Sequence, residues 1–266
     1  MFAKLLKHEW KSSSRILGIL SLAALGVGVL GAVVMRIITN LEMKPDSSDL
    51  LIAVLGMLLL FMFLALVAYV AGTEILLLYR FYKNKFTDEG YLTFTLPVNS
   101  HQIFLSSFLN IAAWTVISLL VMVVSMALII LMGIDWDVLE MMDVMGEMQD
   151  LYKYSYGEVM SAGDVVLGMV SSVVSFFSGL VLPMTCLTVG AVLAKKHKIL
   201  AAFGISYGVS MVSGMISSVL NAMTMLSAQE FDMTAAYIAE IGTQLILMVG
   251  GYFLSTYLMS KKLNLP

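Results

Sequence analysis

Long segments without a charged side chain restrict the fold of this chain more than any other feature. Residues 16–35, 50–73, 165–194 and 199–229 contain no Asp, Glu, Lys or Arg and are mostly apolar. A helix needs about 20 apolar residues to cross a hydrocarbon core of about 30 Å. Only 12% of all residues are charged, against about 25% in an ordinary soluble domain. The sequence therefore excludes a soluble fold and predicts a membrane protein.

We predict an all-α membrane protein in which residues 1–266 form a single domain with six transmembrane helices. The spans lie near residues 16–35, 51–76, 103–132, 165–193, 199–220 and 237–259. The third and fourth apolar stretches exceed the minimum length, so we expect those helices to tilt or to project from the bilayer. Six spans place both termini on one side of the membrane.

The distribution of basic residues predicts which side that is, because cytoplasmic segments carry an excess of Lys and Arg. One set of segments holds twelve basic residues and the other holds three. The twelve are Lys4, Lys7, Lys11, Arg15, Arg80, Lys83, Lys85, Lys195, Lys196, Lys198, Lys261 and Lys262. We therefore expect a multi-pass protein of the plasma membrane with both termini in the cytoplasm.

Residues 1–15 are amphipathic, and we expect the first span after them to be retained rather than cleaved. Apolar residues recur at helical spacing, while basic residues face elsewhere. The apolar set is Phe2, Leu5, Leu6 and Trp10. This pattern predicts an interfacial helix at the inner leaflet. The alternative is that the basic residues only anchor the first span.

The longest inner loop, residues 79–102, is rich in aromatic side chains, which a disordered polar loop would lack. Thr87 is expected to cap a short helix that Pro97 terminates. Asn99 and Gln102 resemble a capping box that opens the third span. Aromatic residues are enriched at interface cores, so the loop suits docking of a cytoplasmic partner. The alternative is an aromatic belt at the membrane surface.

Residues 133–164 form an acidic outer loop with an amphipathic pattern. It could attract cationic peptides or gate an exit, but a solvated face without a ligand is the favoured interpretation. Between the fourth and fifth spans, residues 195–198 make a basic hairpin, which attraction to anionic lipid explains.

Glu74 and Glu240 are the only acidic residues predicted at membrane depth, where ionisable groups mark ion or substrate pathways by default. Glu74 lies near Arg80 and Lys83 in sequence, and Glu240 lies close to the outer surface. We expect a structural or interfacial role for each. Two carboxyl groups without matched broken helices argue against an ion-coupled carrier.

Two other features of the spans concern helix packing. Pro183 is expected to kink the fourth span. Small residues recur four positions apart at Gly204 and Gly208, and at Ser210 and Gly214. Such pairs predict close contact between helices in lipid.

Several chemistries are excluded. The single cysteine, Cys186, excludes an internal disulfide and a CxxC site. His8, His101 and His197 lie outside the spans, so no serine within a span has a histidine base. HExxH and GxxxxGK[ST] motifs are absent, and a net charge of −3 gives no footprint for nucleic acid. We predict no catalytic residue, no metal site and no cofactor bound by this chain.

Taken together, six spans, a basic amphipathic start ending in Lys7-His-Glu-Trp-Lys11, and the inner loop resemble the membrane subunit of type-2 ABC exporters from Gram-positive bacteria. The strongest part of the resemblance is Thr-Asp-Glu-Gly-Tyr-Leu at residues 87–92. It implies a permease without its own ATPase, paired with a second copy or a related permease. Two cytoplasmic ATPase subunits, which bind ATP and Mg²⁺, would drive it.

The resemblance also implies roles for particular residues. Residues 87–94 would be the coupling helix that docks into the ATPase, through Thr87, Asp88, Glu89, Gly90, Tyr91, Leu92 and Phe94. Phe2 to Lys11 would be the connecting helix beside it. Substrate would pass between permeases and could be an amphipathic peptide, a lipid or a drug. The alternative class is a non-transporting immunity or assembly protein that binds partners through the same loop.

Overall fold

Six long helices form the fold in the computed structural model, which describes residues 2–42, 48–87, 90, 98–133, 146, 150, 153, 161–194, 197–228 and 233–261. They are α1 (Phe2–Glu42), α2 (Asp49–Phe86), α3 (Ser100–Gly133), α4 (Ala162–Leu193), α5 (Lys198–Ala228) and α6 (Met233–Lys261), and no strand lies in these ranges. All six are long and apolar enough to span a membrane. The predicted all-α fold with six such helices is confirmed, and each predicted span falls within one helix.

The placement of polar and apolar side chains is that of a protein solvated by lipid. Leu22, Leu50 and Ile246 are 71%, 75% and 74% exposed, whereas Ser118 and Ser125 are fully buried. Lipid tails are as apolar as leucine, so helices in a bilayer associate through small and hydroxyl-bearing residues instead. This pattern supports a multi-pass membrane protein independently of helix length.

Helix starts follow local capping signals. The backbone amides of Gln102 and Ile103 donate to the Asn99 carbonyl at 2.9 and 3.2 Å, so α3 begins directly after Asn99; the predicted capping box of Asn99 and Gln102 stays a prediction. At α4, the Asp164 amide donates to the Ser161 hydroxyl at 3.1 Å, and the Ser161 amide donates to the Asp164 carboxylate at 3.1 Å. This reciprocal pair is a capping box.

The first helix differs from the prediction of a separate interfacial segment. α1 runs without a break through 41 residues, which at 1.5 Å per residue is about 61 Å. Residues 12–15 are Ser-Ser-Ser-Arg and contain no Pro or Gly that would end a helix. Residues 2–15 therefore continue the first span in one helix, and their position in the membrane interface stays a prediction.

Two compact units divide the chain, and α2 and α3 contribute to both. The first unit contains α1 from Ala3, α2 to Tyr79 and α3 from Leu109. Its buried apolar core is formed by Ala24, Ala32, Leu66 and Ile129. The prediction of one domain over the whole chain is not tested by this division.

Small residues on α1 allow α3 to approach closely in this unit. A methyl group at Gly28 would lie 2.5 Å from the Cβ and Oγ of Ser125, and one at Gly31 would lie 2.9 Å from the Ile129 side chain. Both contacts are well inside ordinary van der Waals separation of about 3.5–4.0 Å. Glycine is therefore required at residue 28 for the observed spacing of α1 and α3.

The second unit contains α2 from Arg80, α3 to Phe108, and α4, α5 and α6. Here α4 packs against α5 and α6, and α5 also packs against α6. A methyl group at Gly190 would lie 2.8 Å from backbone atoms of Lys198 and Ala202, and one at Gly251 would lie 2.8 Å from the Thr185 hydroxyl. Pro183 lies inside α4, and its predicted kink stays a prediction.

Candidate functional site

The coupling segment predicted from the sequence lies mostly outside the described residues. Asp88, Glu89, Tyr91, Leu92 and Phe94 are not described, whereas Thr87 and Gly90 are. The Thr87 hydroxyl donates to the Lys83 carbonyl at 2.6 Å, and the Gly90 amide donates to the Thr87 carbonyl at 2.7 Å. Thr87 thus closes the end of α2, and its predicted capping of a following helix is not tested.

The predicted loop is shorter than residues 79–102, because residues 79–86 continue α2 and residues 100–102 begin α3. An aromatic cluster within the second unit lies at these two ends. We define this cluster as Phe81, Phe86, Phe104, His101 and Tyr252. Phe81 meets Phe86 edge-on at 5.6 Å between ring centroids and Phe104 at 6.2 Å. Phe104 in turn meets Tyr252 of α6 at 5.6 Å. Phe86 and Phe104 are each only 1% exposed.

A hydrogen bond adds to the same link between the loop and α6. The His101 Nδ1 and the Tyr252 hydroxyl are 2.9 Å apart. His101 lies on the first turn of α3, so the exit of the loop is attached to α6 directly, whereas its entry on α2 reaches α6 through Phe104. Edge-to-face aromatic pairs contribute about 0.5–1.5 kcal/mol each beyond their buried area. The cluster therefore holds α2, α3 and α6 together where the loop begins and ends.

The exposure of the N-terminal side chains follows the predicted amphipathic pattern, with Trp10 as the exception. Phe2, Leu5 and Leu6 are partly buried and Glu9 is buried, whereas Lys4, Lys7, His8 and Lys11 are exposed. Trp10 is 39% exposed.

Trp10 belongs to the predicted apolar face, and its indole ring contacts the indole ring of Trp114. It stacks on Trp114 of α3 at 5.0 Å between centroids. Ser13 lies about one turn further along α1, and its hydroxyl accepts a hydrogen bond from the side-chain amide of Asn110 on α3 at 3.2 Å. The amphipathic face thus contacts α3, while its role as a connecting helix stays a prediction.

Glu74 is partly buried in the first unit and lies beside the Thr115 hydroxyl of α3. That hydroxyl oxygen is buried and has no hydrogen bond of good geometry in the described residues, so the approach is loose. The nearby Ser21 and Tyr69 hydroxyls are 2.8 Å apart and join α1 to α2. Glu74 thus lies where α2 faces Thr115 of α3, and the structural role expected for it stays a prediction.

Glu240 of α6 is held by two hydroxyl groups of α4. Its Oε2 accepts from the Ser171 hydroxyl at 2.9 Å, and its Oε1 accepts from the Ser175 hydroxyl at 3.4 Å. Ser171 and Ser175 are four residues apart and lie on one face of α4. Two hydroxyl donors from one helix thus hold a carboxylate of another.

These contacts belong to a longer polar seam between α4 and α6. We define the seam by Asp164, Ser171, Ser175 and Thr185 on α4, and Thr234, Glu240 and Ser255 on α6. At one end the Thr234 hydroxyl donates to the Asp164 carboxylate at 3.2 Å, and at the other the Ser255 hydroxyl donates to that of Thr185 at 3.1 Å.

The seam was not predicted, although the sequence holds a signal for it. Asp164, Ser171, Ser175 and Ser178 recur at helical spacing in an otherwise apolar run. Ser178 is 1% exposed and its hydroxyl has no hydrogen-bond partner within the described residues. The stripe could be recognised in the sequence, but its partner helix could not.

The remaining predicted features fall largely outside the described ranges. Only Gly133, Gly146, Asp150, Lys153 and 161–164 of the acidic loop are described, together with His197 and Lys198 of the basic hairpin. In the described part of the chain, no group of three or more His, Cys, Asp or Glu side chains could hold a metal ion. The polar side chains that the structure brings together form hydrogen bonds between helices.

Comparison with known proteins adds no relative. No protein-family model, no curated protein and no solved structure matches this chain.

Proposed function

We propose that this chain is the permease subunit of an ATP-binding cassette exporter in a bacterial plasma membrane, with both termini in the cytoplasm. A second permease, identical or related, would complete the translocation path. Separate cytoplasmic ATPase subunits would bind ATP and Mg²⁺ and supply the energy. An amphipathic peptide, a lipid or a drug is the proposed class of substrate.

The observation that carries this proposal is the aromatic cluster at the base of the 79–102 loop. Phe104, at the exit of the loop, contacts Tyr252 of α6, and Phe81, at its entry, contacts Phe104. A displacement of the loop by a bound ATPase would therefore reach a membrane helix directly. α6 is in turn connected to α4 by the hydrogen bonds of the polar seam.

The charge distribution supports the proposed orientation. Twelve basic residues occur in the segments at one end of the six helices and three at the other. Cytoplasmic loops carry such an excess. In this orientation the 79–102 loop would lie on the side where an ATPase could reach it.

The mechanism follows from this arrangement. ATP binding brings the two ATPase subunits together, and the coupling segments at residues 87–94 move with them. The aromatic cluster transmits that movement to α6 and the seam to α4, so the permease pair changes between inward-open and outward-open or closed forms. A ligand shifts such an equilibrium only through its differential affinity for the two states.

A surface on α5 supports pairing with a second permease. A methyl group added at Gly204, Gly208 or Gly214 would meet no neighbouring atom of the described chain within 4 Å. Tyr207 beside them is 69% exposed. The predicted small-residue contact is therefore not used within the described chain, and it suits a close approach by another helix.

Copurification from the native host tests the proposal. The permease, extracted in mild detergent, should retain an ATPase that contains a GxxxxGK[ST] motif and hydrolyses ATP. Replacing Tyr91 and Leu92 by Asp should remove most of this ATPase, because charged residues would be buried in the docking cleft. The readouts are the ATPase band, identified by mass spectrometry, and ATP turnover per permease.

The matched control replaces Leu151 and Tyr152 by Asp, which introduces the same changes in the opposite loop and should leave the complex intact. Equal loss in both variants would indicate a general defect in the protein. A chain that copurifies with no ATPase, and whose binding partners do not respond to Tyr91→Asp and Leu92→Asp, would exclude the permease. Loss of a partner other than an ATPase would favour the non-transporting immunity or assembly protein.

A further inference from the structure

A cavity of about 480 Å³ lies beside the end of α2 and the start of α5, within the second unit. Its described lining residues are Tyr82, His197, Lys198, Ile199, Leu200 and Phe203. The volume falls in the range of about 300–1,000 Å³ that is typical of small-molecule sites. None of these residues belongs to the polar seam or to the aromatic cluster.

The lining is divided into an apolar wall and a polar part. Leu200 and Phe203 are 72% and 68% exposed, so the wall is open at the surface of the described chain. Tyr82, His197 and Lys198 supply hydrogen-bond donors, and none of the six lining residues is acidic. Within the described chain, these three polar groups have no hydrogen-bond or ion-pair partner. The cavity therefore offers positive charge next to an apolar surface.

Backbone donors add to the polar part. α5 begins at Lys198, and its first helical hydrogen bond runs from the Ala201 amide to the His197 carbonyl at 2.9 Å. The amides before Ala201 have no partner within the helix and point along its axis. Such a helix start favours an anion through its hydrogen bonds and its dipole. The sequence adds Lys195 and Lys196 immediately before it.

We propose that this cavity binds the headgroup of an anionic phospholipid, which comes from the inner leaflet in the orientation of the proposed function, on which this inference rests. Lys198 and His197 would contact the phosphate, and the first carbons of the acyl chains would lie against Leu200 and Phe203. A soluble phosphate would leave the apolar wall exposed, whereas a zwitterionic lipid would bring a second cation towards Lys198. Charge complementarity therefore selects an anionic lipid, which the membrane itself supplies.

Native mass spectrometry of the full-length chain in detergent tests this site. The added probes are phosphatidylglycerol and phosphatidylcholine with identical acyl chains. We expect one phosphatidylglycerol to be retained in preference to phosphatidylcholine. Lys198→Gln should lower its retention about fivefold, the factor that one cation contributes near an anionic surface. Lys198→Arg should retain it.

Two further variants distinguish the alternatives. Lys261→Gln removes an exposed lysine outside the cavity, at the end of α6, and should not change retention. Phe203→Ala should weaken lipid binding by removing part of the apolar wall. The proposal fails if both lipids are retained equally, or if Lys198→Gln behaves like Lys261→Gln. It also fails if excess inorganic phosphate displaces the lipid while Phe203→Ala has no effect, because the cavity would then be an anion site.

Discussion

The same substitution at two glycines of one helix should have different effects on the free energy of unfolding. In α1, a methyl group at Gly26 would meet no neighbouring atom within 4 Å, whereas at Gly28 it would lie 2.5 Å from the Ser125 side chain and 2.9 Å from the Ser125 Cα. Both positions are helical. Gly26→Ala should therefore stabilise the protein, and Gly28→Ala should destabilise it relative to Gly26→Ala.

The difference follows from two contributions. Replacing Gly by Ala within a helix gains up to about 1 kcal/mol of helix propensity at either position. At Gly28 the added carbon also lies about 1 Å inside ordinary contact with Ser125, and overpacking of this kind costs about 1–3 kcal/mol. The propensity contribution cancels between the two variants, so Gly28→Ala should be less stable than Gly26→Ala by about 1–3 kcal/mol.

Reversible unfolding in mixed detergent micelles measures this difference. The stacked Trp10 and Trp114 belong to the same unit as Gly28, so tryptophan fluorescence follows its unfolding. Adding Ser125→Gly to Gly28→Ala removes the Cβ and the hydroxyl and should recover part of the loss. Equal stability of Gly28→Ala and Gly26→Ala would refute the close approach of α1 and α3 at this position.

Two other predictions concern the second unit. Ser171→Ala removes the nearer donor to Glu240 and should lower the free energy of unfolding by about 0.6–1.7 kcal/mol, the range for hydrogen bonds between membrane helices; the loss should shrink in a Glu240→Gln background, as a double-mutant cycle would measure. Gly208→Cys, made in a Cys186→Ala background, should form a covalent dimer with a bifunctional maleimide if α5 faces a second copy, and gel electrophoresis would detect it.

Matched positions control both measurements. The Ser172 hydroxyl donates to the Gly168 carbonyl of its own helix, so Ser172→Ala should show no coupling to Glu240. Gly56 on α2 is also free of neighbours within 4 Å in the described chain, and Gly56→Cys should not cross-link. Coupling of Ser172 as strong as that of Ser171 would contradict the assigned hydrogen bonds. Cross-linking at both glycines, or at neither, would contradict pairing of two copies of this chain through α5.

The six helices could be predicted because length and hydropathy alone determine them. A segment that crosses hydrocarbon must form all its backbone hydrogen bonds internally. An apolar run of about 20 residues therefore predicts a helix. The start of α3 after Asn99 followed from local signals. The capping box of Ser161 and Asp164 could have been predicted in the same way, since its Ser-x-x-Asp spacing is visible in the sequence.

Contacts between helices could not be predicted in the same way. Ser171 and Ser175 could be assigned to one face of a helix, but their partner Glu240 lies 65 or more residues away, and the sequence does not state which helices pack together. Trp10 illustrates the same limit. Its place on the apolar face followed from helical spacing, whereas its contact with Trp114 depends on the packing of α1 against α3.

The unbroken length of α1 has a mechanical consequence. The predicted span, residues 16–35, accounts for about 30 Å of this helix, so residues 2–15 would continue it by about 21 Å at 1.5 Å per residue. Because α1 has no break between the two parts, a tilt of about 10° would displace the N-terminal end by about 4 Å, from the rise of 1.5 Å per residue. A small rotation of the membrane part would thus produce a displacement of several ångströms at the basic end of α1.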